Sequence, residues 1–247
     1  MASRSSLPSP PPLADLLSAG PVALFIDFDG TLVGIAPRPG DIHVPHNLSA
    51  ALHHLRDRLQ GRLALVSGRA LDDLQRHLGE ISIARAGSHG ASRFLADGKR
   101  LGETPQGLPD KAIAQLRAYA DENGLFYETK AHGGALHFRG QDRQAAATCA
   151  FAQNVAELHG LDVTSGKGVA ELVRPGANKG AALRAFLNVA PFAGSMPVFI
   201  GDDVTDEDGM RAAIECGGFG IAVGERDSKA ARYHLEDVEA VHNWLNL

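Results

Sequence analysis

Val22-Ala23-Leu24-Phe25-Ile26-Asp27-Phe28-Asp29-Gly30-Thr31 is the stretch that decides the fold. Five apolar residues run without a polar break and stop at two aspartates that flank one phenylalanine. An uninterrupted run of this length suits a strand buried on both faces of a parallel sheet. Acids and a glycine directly behind it suit the carboxyl edge of such a sheet, where open α/β folds bind their ligands.

Downstream, Leu48, Ala51, Leu52, Leu55 and Leu59 recur at helical spacing and predict a helix over 46–60. A second buried run, Leu63-Ala64-Leu65-Val66, ends at Ser67-Gly68-Arg69. Residues 70–78 read as a helix, and Ile83 to Ala86 as a third strand ending at Gly87. The last third repeats the alternation, with a helix over 178–189 and a strand at Pro197–Ile200 that stops at Gly201-Asp202-Asp203. A helix over 206–216, a strand at Gly220–Val223 and a helix over 237–246 follow. Strands alternating with helices predict an α/β fold built on a doubly wound parallel sheet.

The middle has another texture. Residues 92–103 read as a hairpin turning at Asp97-Gly98, 109–122 as a helix, and Phe126–Lys130 with Ala135–Arg139 as paired strands around Gly133-Gly134. A long helix over 141–159 and a hairpin over 161–173 with Gly166 at its tip complete an α+β layer. The expected organisation is a flexible tail over 1–20, a core over 21–104 and 175–247, and an inserted α+β domain over 105–174.

Composition sets limits. The chain has 247 residues, 44% hydrophobic and 21% charged, which is enough for a buried core. With 24 Lys+Arg against 29 Asp+Glu, the net charge of −5 argues against a nucleic-acid partner. No apolar run approaches the roughly 20 residues of a membrane span, so no membrane partner is expected. Met1 to Pro12 is Ser/Pro-rich and lacks the apolar stretch of a secretory signal. Cys149 and Cys216 match no metal spacing, and a reducing cytoplasm is the expected compartment. A monomer is expected.

Three polar clusters follow buried runs: Asp27-Phe28-Asp29-Gly30-Thr31, Ser67-Gly68-Arg69 and Gly201-Asp202-Asp203, the last with Asp206 and Glu207 close behind. Carboxylates brought together repel unless a cation joins them. Mg²⁺ takes one or two carboxylates and fills its other positions with water and substrate phosphate, which suits phosphoryl transfer. Asp27 is then the candidate nucleophile and Asp29 the candidate acid and base. Gly30 permits a sharp turn and Thr31 adds a hydroxyl donor. Ser67 and Lys179 are candidates for the remaining phosphate oxygens. A single aspartate at a strand end is most often a turn or cap residue. Here a whole Asp-x-Asp-Gly-Thr string follows the apolar run and matching sites recur, which favours chemistry.

These strings resemble the haloacid-dehalogenase (HAD) superfamily of phosphatases and, within it, the trehalose-6-phosphate phosphatase family. Asp27-Phe28-Asp29-Gly30-Thr31-Leu32 is similar to the superfamily's first motif, Ser67 to its second, Lys179 within Asn178-Lys179-Gly180 to its third, and Gly201-Asp202-Asp203-Val204-Thr205-Asp206-Glu207 to its fourth in the form of the trehalose branch. The likeness runs from about Leu24 to Trp244. It implies a phosphoric monoester hydrolase that uses Mg²⁺ held by Asp27, Asp202 and the Asp29 carbonyl. Asp203 and Asp206 would orient the metal's waters and Lys179, and an aspartyl-phosphate would form at Asp27. It implies trehalose 6-phosphate as substrate, in the last step of trehalose biosynthesis. The 105–174 insert would act as a cap, with Glu128, Lys130 and Glu171 reading the sugar. Thr31, Gly68, Arg69, His89 of Gly87-Ser88-His89-Gly90, and Asn178 are the other implied substrate contacts. A sucrose or hexose phosphatase and a non-catalytic sugar-phosphate sensor are the alternatives.

Overall fold

The computed structural model of the protein describes residues 7–36, 41–130, 132–166 and 168–247. Residues 1–6 of the expected tail lie outside that range. Residues nearer the core differ from the expectation. Leu13–Ala19 forms helix α1, and Leu13 is buried in the main apolar cluster. The indole Nε1 of Trp244 donates to Pro11 O at 2.8 Å, and His234 N donates to Pro8 O at 3.0 Å. One buried leucine and two anchored carbonyls hold a segment whose Pro-rich composition alone reads as loose.

β1 (Val22–Ile26) is buried at every residue. Val22, Leu24 and Ile26 pack into one apolar cluster, and Ala23 and Phe25 into a second on the opposite face. Two covered faces explain the missing polar alternation. α2 (Leu48–Arg58), β2 (Leu63–Val66), α3 (Leu71–Leu78) and β3 (Ala84–Gly87) follow, with β1–β2 and β2–β3 both parallel. The expected 92–103 hairpin reduces to β4 (Ser92–Phe94), antiparallel to β3, and a single return bridge from Phe94 to Arg100.

The chain divides into two compact units: residues 1–103 with 178–247, and residues 104–177. The second unit comprises α4 (Asp110–Asn123), β5 (Phe126–Lys130), β6 (Gly133–His137), α5 (Ala145–His159), β7 (Asp162–Gly166) and β8 (Val169–Val173). Its sheet is antiparallel in the order β5-β6-β8-β7. Leu116 and Ala120 of α4 and Ala152 and Val155 of α5 pack with Leu136, Ala170 and Leu172 on one face. β6 begins two residues earlier than expected. Gly133-Gly134 reads locally as a turn, but both residues pair with β5 and with β8, so the ladder overrides the local signal. In the second hairpin, Gly166 still pairs with Val169, so the turn falls beyond it.

The chain returns through α6 (Lys179–Leu187), β9 (Met196–Gly201), α7 (Asp206–Glu215), β10 (Phe219–Val223), β11 (Ala231–Leu235) and α8 (Val238–Leu245). The seven-stranded sheet runs β11-β10-β9-β1-β2-β3-β4 and is parallel except at β4. The strand order departs in opposite directions from β1 and β9, the switch point beyond whose carboxyl ends open α/β folds bind their ligands. β11 was not expected, because Ala-Arg-Tyr-His-Leu contains no apolar run. It is an edge strand recruited by parallel pairing to β10. No helix among the described residues is long and apolar enough to cross a membrane.

Candidate active site

Register brings the first and fourth motifs together. Ile26 pairs with Ile200, and Asp27 N donates to Ile200 O at 2.9 Å, so the chains leaving β1 and β9 carry Asp27 and Asp202 side by side. α6 supplies Lys179 from its first turn, and Asn178 caps that helix, its Oδ1 accepting from Ala181 N at 2.7 Å. Lys179 Nζ lies 2.6 Å from Asp27 Oδ1 and 2.6 Å from Asp206 Oδ1. The other Asp206 oxygen accepts from Asp203 N at 2.9 Å, so both of its oxygens face protein groups. Asp203 turns its own Oδ1 to Val204 N at 2.7 Å.

Asp27, Asp202 and Asp206 offer carboxylate oxygens that all lie within 4.8 Å of one another. Burial pushes the Asp27 carboxyl well above its ordinary value of 3.8; Asp206 and Asp202 add to the rise, and Lys179 opposes it. Burial would lower the Lys179 ammonium, but Asp206 and Asp27 outweigh it and hold it above its usual range. Asp27 and Asp206, both buried, share the one ammonium, and the half-buried Asp202 joins them in the same cluster. Hard carboxylate oxygens gathered this closely fit a divalent cation such as Mg²⁺. Gly30 keeps this cluster close. Its φ is +84°, and a Cβ there would run into the Asp202 carboxylate.

The second motif binds the first. Arg69 Nε and Nη2 donate to Asp29 Oδ2 and Oδ1, each at 2.6 Å, while Nη1 reaches Asp73 Oδ2 at 2.5 Å. A guanidinium engaged on both edges holds Asp29 in a fixed geometry. Arg69, expected as a substrate contact, braces Asp29 in this structure. Ser67 is buried, and its Oγ accepts from Arg69 N at 3.1 Å. His89 packs against Gly68, where a Cβ would stand 2.7 Å from its Cε1. Ser88 and His89 have φ of +50° and +55°, a conformation that L-residues rarely adopt and that often accompanies functional sites. Their amides donate to Arg69 O (2.7 Å) and Ser67 O (3.0 Å), tying this loop to the second motif. Gly68 therefore makes room for His89. The Asn178 side-chain oxygen caps α6, and Thr31 is wholly enclosed, its Oγ1 without a hydrogen-bond partner among the described residues.

In the 104–177 unit, Glu128, Lys130 and Glu171 share the sheet face opposite α4 and α5, because Tyr127, Ala170 and Leu172 alternate onto the helix side. Lys130 Nζ bonds Glu171 Oε2, and Glu171 is buried. His137 Nε2 lies 2.8 Å from Glu128 Oε2. The hydrogen bond from His137 holds the Glu128 carboxyl below its ordinary value against the pull of burial. Sequence reading passed over His137, which β5–β6 register places beside Glu128. It also passed over Asp73 in the first turn of α3, and Arg226, which follows β10 as the recognised motifs follow their own strands.

A family model described as trehalose-phosphatase matches residues 25–238. The trehalose-6-phosphate phosphatase of Escherichia coli (strain K12) is 34% identical over 228 residues, covering 91% of this chain and 85% of that protein. Among solved structures, the C-terminal domain of a C. albicans trehalose-6-phosphate phosphatase has a TM-score of 0.83 at 19% identity, covering 99% of this chain and 100% of that one. A Bacteroides thetaiotaomicron protein studied among phosphatases of the HAD superfamily has a TM-score of 0.63 at 18% identity, covering 92% and 93%. At these identities the two structures speak to the fold alone.

Proposed function

Because the chain belongs to the trehalose-phosphatase family and is a phosphatase, we propose that it hydrolyses trehalose 6-phosphate to trehalose and inorganic phosphate, with Mg²⁺, through an aspartyl-phosphate at Asp27. The observation that carries this reading is the convergence of the two segments that follow β1 and β9 on one ammonium from α6, with Lys179 at 2.6 Å from both Asp27 and Asp206 and with Asp202 in the same cluster. When bound at Asp27 and Asp202, the metal would neutralise charge on the phosphoryl group. An Asp27 oxygen attacks phosphorus and the bond to the sugar O6 breaks. Asp29, freed from Arg69 and protonated when substrate is bound, gives its proton to the departing oxygen, then takes one from the water that cleaves the acyl phosphate, which restores Asp27 and releases phosphate. Lys179 holds Asp27 in place and balances charge; Ser67 has a hydroxyl proton to offer a phosphoryl oxygen. Asp206 acts through Lys179 and through the Asp203 amide.

Glu128, Lys130 and Glu171 are the proposed sugar-reading residues, since charged groups make the stronger hydrogen bonds to hydroxyls. The test is phosphate release from trehalose 6-phosphate, sucrose 6-phosphate and glucose 6-phosphate, with and without Mg²⁺. Trehalose 6-phosphate should be the preferred substrate, and chelation should stop turnover reversibly. Asp27→Asn should abolish release while the circular dichroism spectrum stays that of the wild type. An active Asp27→Asn protein removes the nucleophile assignment, and equal turnover of the three sugars removes the substrate assignment.

A further inference from the structure

Arg226 belongs to none of the recognised motifs, yet its side chain reaches the loop that carries Asp202. Nε donates to Asp202 O at 2.9 Å, and Nη2 donates to Asp203 O at 3.0 Å and to Glu207 Oε1 at 2.7 Å. Nη1 donates to Asp227 O at 2.9 Å. Glu207, 6% exposed, is held from its other side. Its Oε2 accepts from Ala230 N at 2.9 Å and from Lys229 N at 3.2 Å. The guanidinium thus spans the carboxyl ends of β9 and β10, and the carboxylate that pairs with it is fixed by two backbone amides.

β9 ends at Gly201, so the carbonyls of Asp202 and Asp203 lie past the strand that would otherwise order them. A planar fork with preset donors is suited to holding two adjacent carbonyls in one orientation, which an ammonium on a flexible stem does not reproduce. We propose that Arg226, anchored by Glu207, is a positioning residue for the divalent cation: it sets the backbone at 202–203, and through it the place of the Asp202 carboxylate. The proposal rests on the reading that Asp27 and Asp202 hold the metal. Groups that orient metal ligands typically contribute about 10–100-fold in metal affinity. A brace that only stabilised the loop would leave affinity unchanged in the folded protein.

The experiment is a Mn²⁺ titration of the full chain followed by electron paramagnetic resonance, with fold checked by circular dichroism, beside the Mg²⁺ dependence of phosphate release. Arg226→Gln should weaken Mn²⁺ binding by about 10–100-fold and raise the Mg²⁺ needed for half-maximal turnover by a similar factor, while kcat at saturating metal stays near wild type. Glu207→Gln should shift both in the same direction, and the double variant should be little weaker than the worse single one, since the two act as a unit. Arg226→Lys keeps the charge but not the fork; it should also bind Mn²⁺ more weakly than wild type, and it carries the test if Arg226→Gln does not fold. Folded variants with wild-type Mn²⁺ affinity overturn the proposal, as does a fall in kcat with affinity unchanged. A wild-type protein that binds no Mn²⁺, or an Asp202→Asn protein that binds it as wild type does, overturns the metal reading itself.

Discussion

Asp27 and Asp29 stand two residues apart and meet different cations. Lys179 holds the first, in a buried setting that it shares with Asp206, and Arg69 holds the second through two parallel hydrogen bonds. Strand alternation would put residues two apart on one side; the split arises because β1 ends at Ile26 and the chain turns over 28–33, with Leu32 N donating to Phe28 O and Gly30 N to Val33 O. Thr31, from the same motif, makes no such contact among the described residues. A buried hydroxyl without a partner costs free energy, and a methyl of the same shape does not. Thr31→Val should therefore keep phosphate release and hold or raise stability in urea melts, by up to about 1–2 kcal/mol. Loss of turnover at unchanged stability would place the Thr31 hydroxyl on the substrate after all.

At the scale of elements, α1 and α7 make separable claims. α1 has no side-chain cap, and it is held by Leu13 and by the contacts of the segment before it. Leu13→Ala should cost about 2 kcal/mol in a denaturant melt, the low end for a buried leucine because the end of the chain can settle into the gap. A cost near zero would mean that residues 7–20 do fray as their composition suggests. α7 opens with Asp206, Glu207 and Asp208, acids that suit the positive end of a helix. Burial pushes the Glu207 carboxyl up, but hydrogen bonds from Arg226 and Ser228 outweigh it and hold it below the ordinary 4.5. A carboxyl with a lowered folded-state value stabilises the protein above its unfolded value and loses that contribution as pH falls through the folded one. The difference in melting temperature between wild type and Glu207→Gln should be widest near neutral pH and should shrink below about pH 4.5. A gap that stays constant down to pH 3 would show that the ion pair contributes nothing through its charge.

At the scale of the whole molecule, the residues proposed for phosphoryl transfer and those proposed to read the sugar fall in different units of the chain. The proposed division of labour has a direct consequence. Glu128→Ala should reduce turnover of trehalose 6-phosphate far more than that of a small aryl phosphate, measured side by side with Mg²⁺. Equal damage to both would remove Glu128 from sugar recognition. The bond between Glu128 and His137 also means that His137→Ala is the natural companion variant, because it leaves Glu128 in place and removes what orients it.

Positions legible in the linear order are those whose signal is local. Val22–Ile26 shows burial on both faces by its unbroken apolar run, and Asp27, Ser67 and Asp202 each follow such a run, so a parallel sheet with a polar carboxyl edge could be inferred before any contact was known. Fold class and the chemical type of the site were determined there, because strand period and strand-end position are properties of neighbours in sequence. Pairing between distant groups was not. Nothing near Arg69 announces that Asp29 will engage it, nothing near Ala231–Leu235 shows β10 recruiting it as a strand, and nothing near Arg226 points to the carbonyls of Asp202 and Asp203. Those outcomes depend on which loops the sheet sets side by side, and hydrogen-bonding groups buried together satisfy one another before they are left for a ligand.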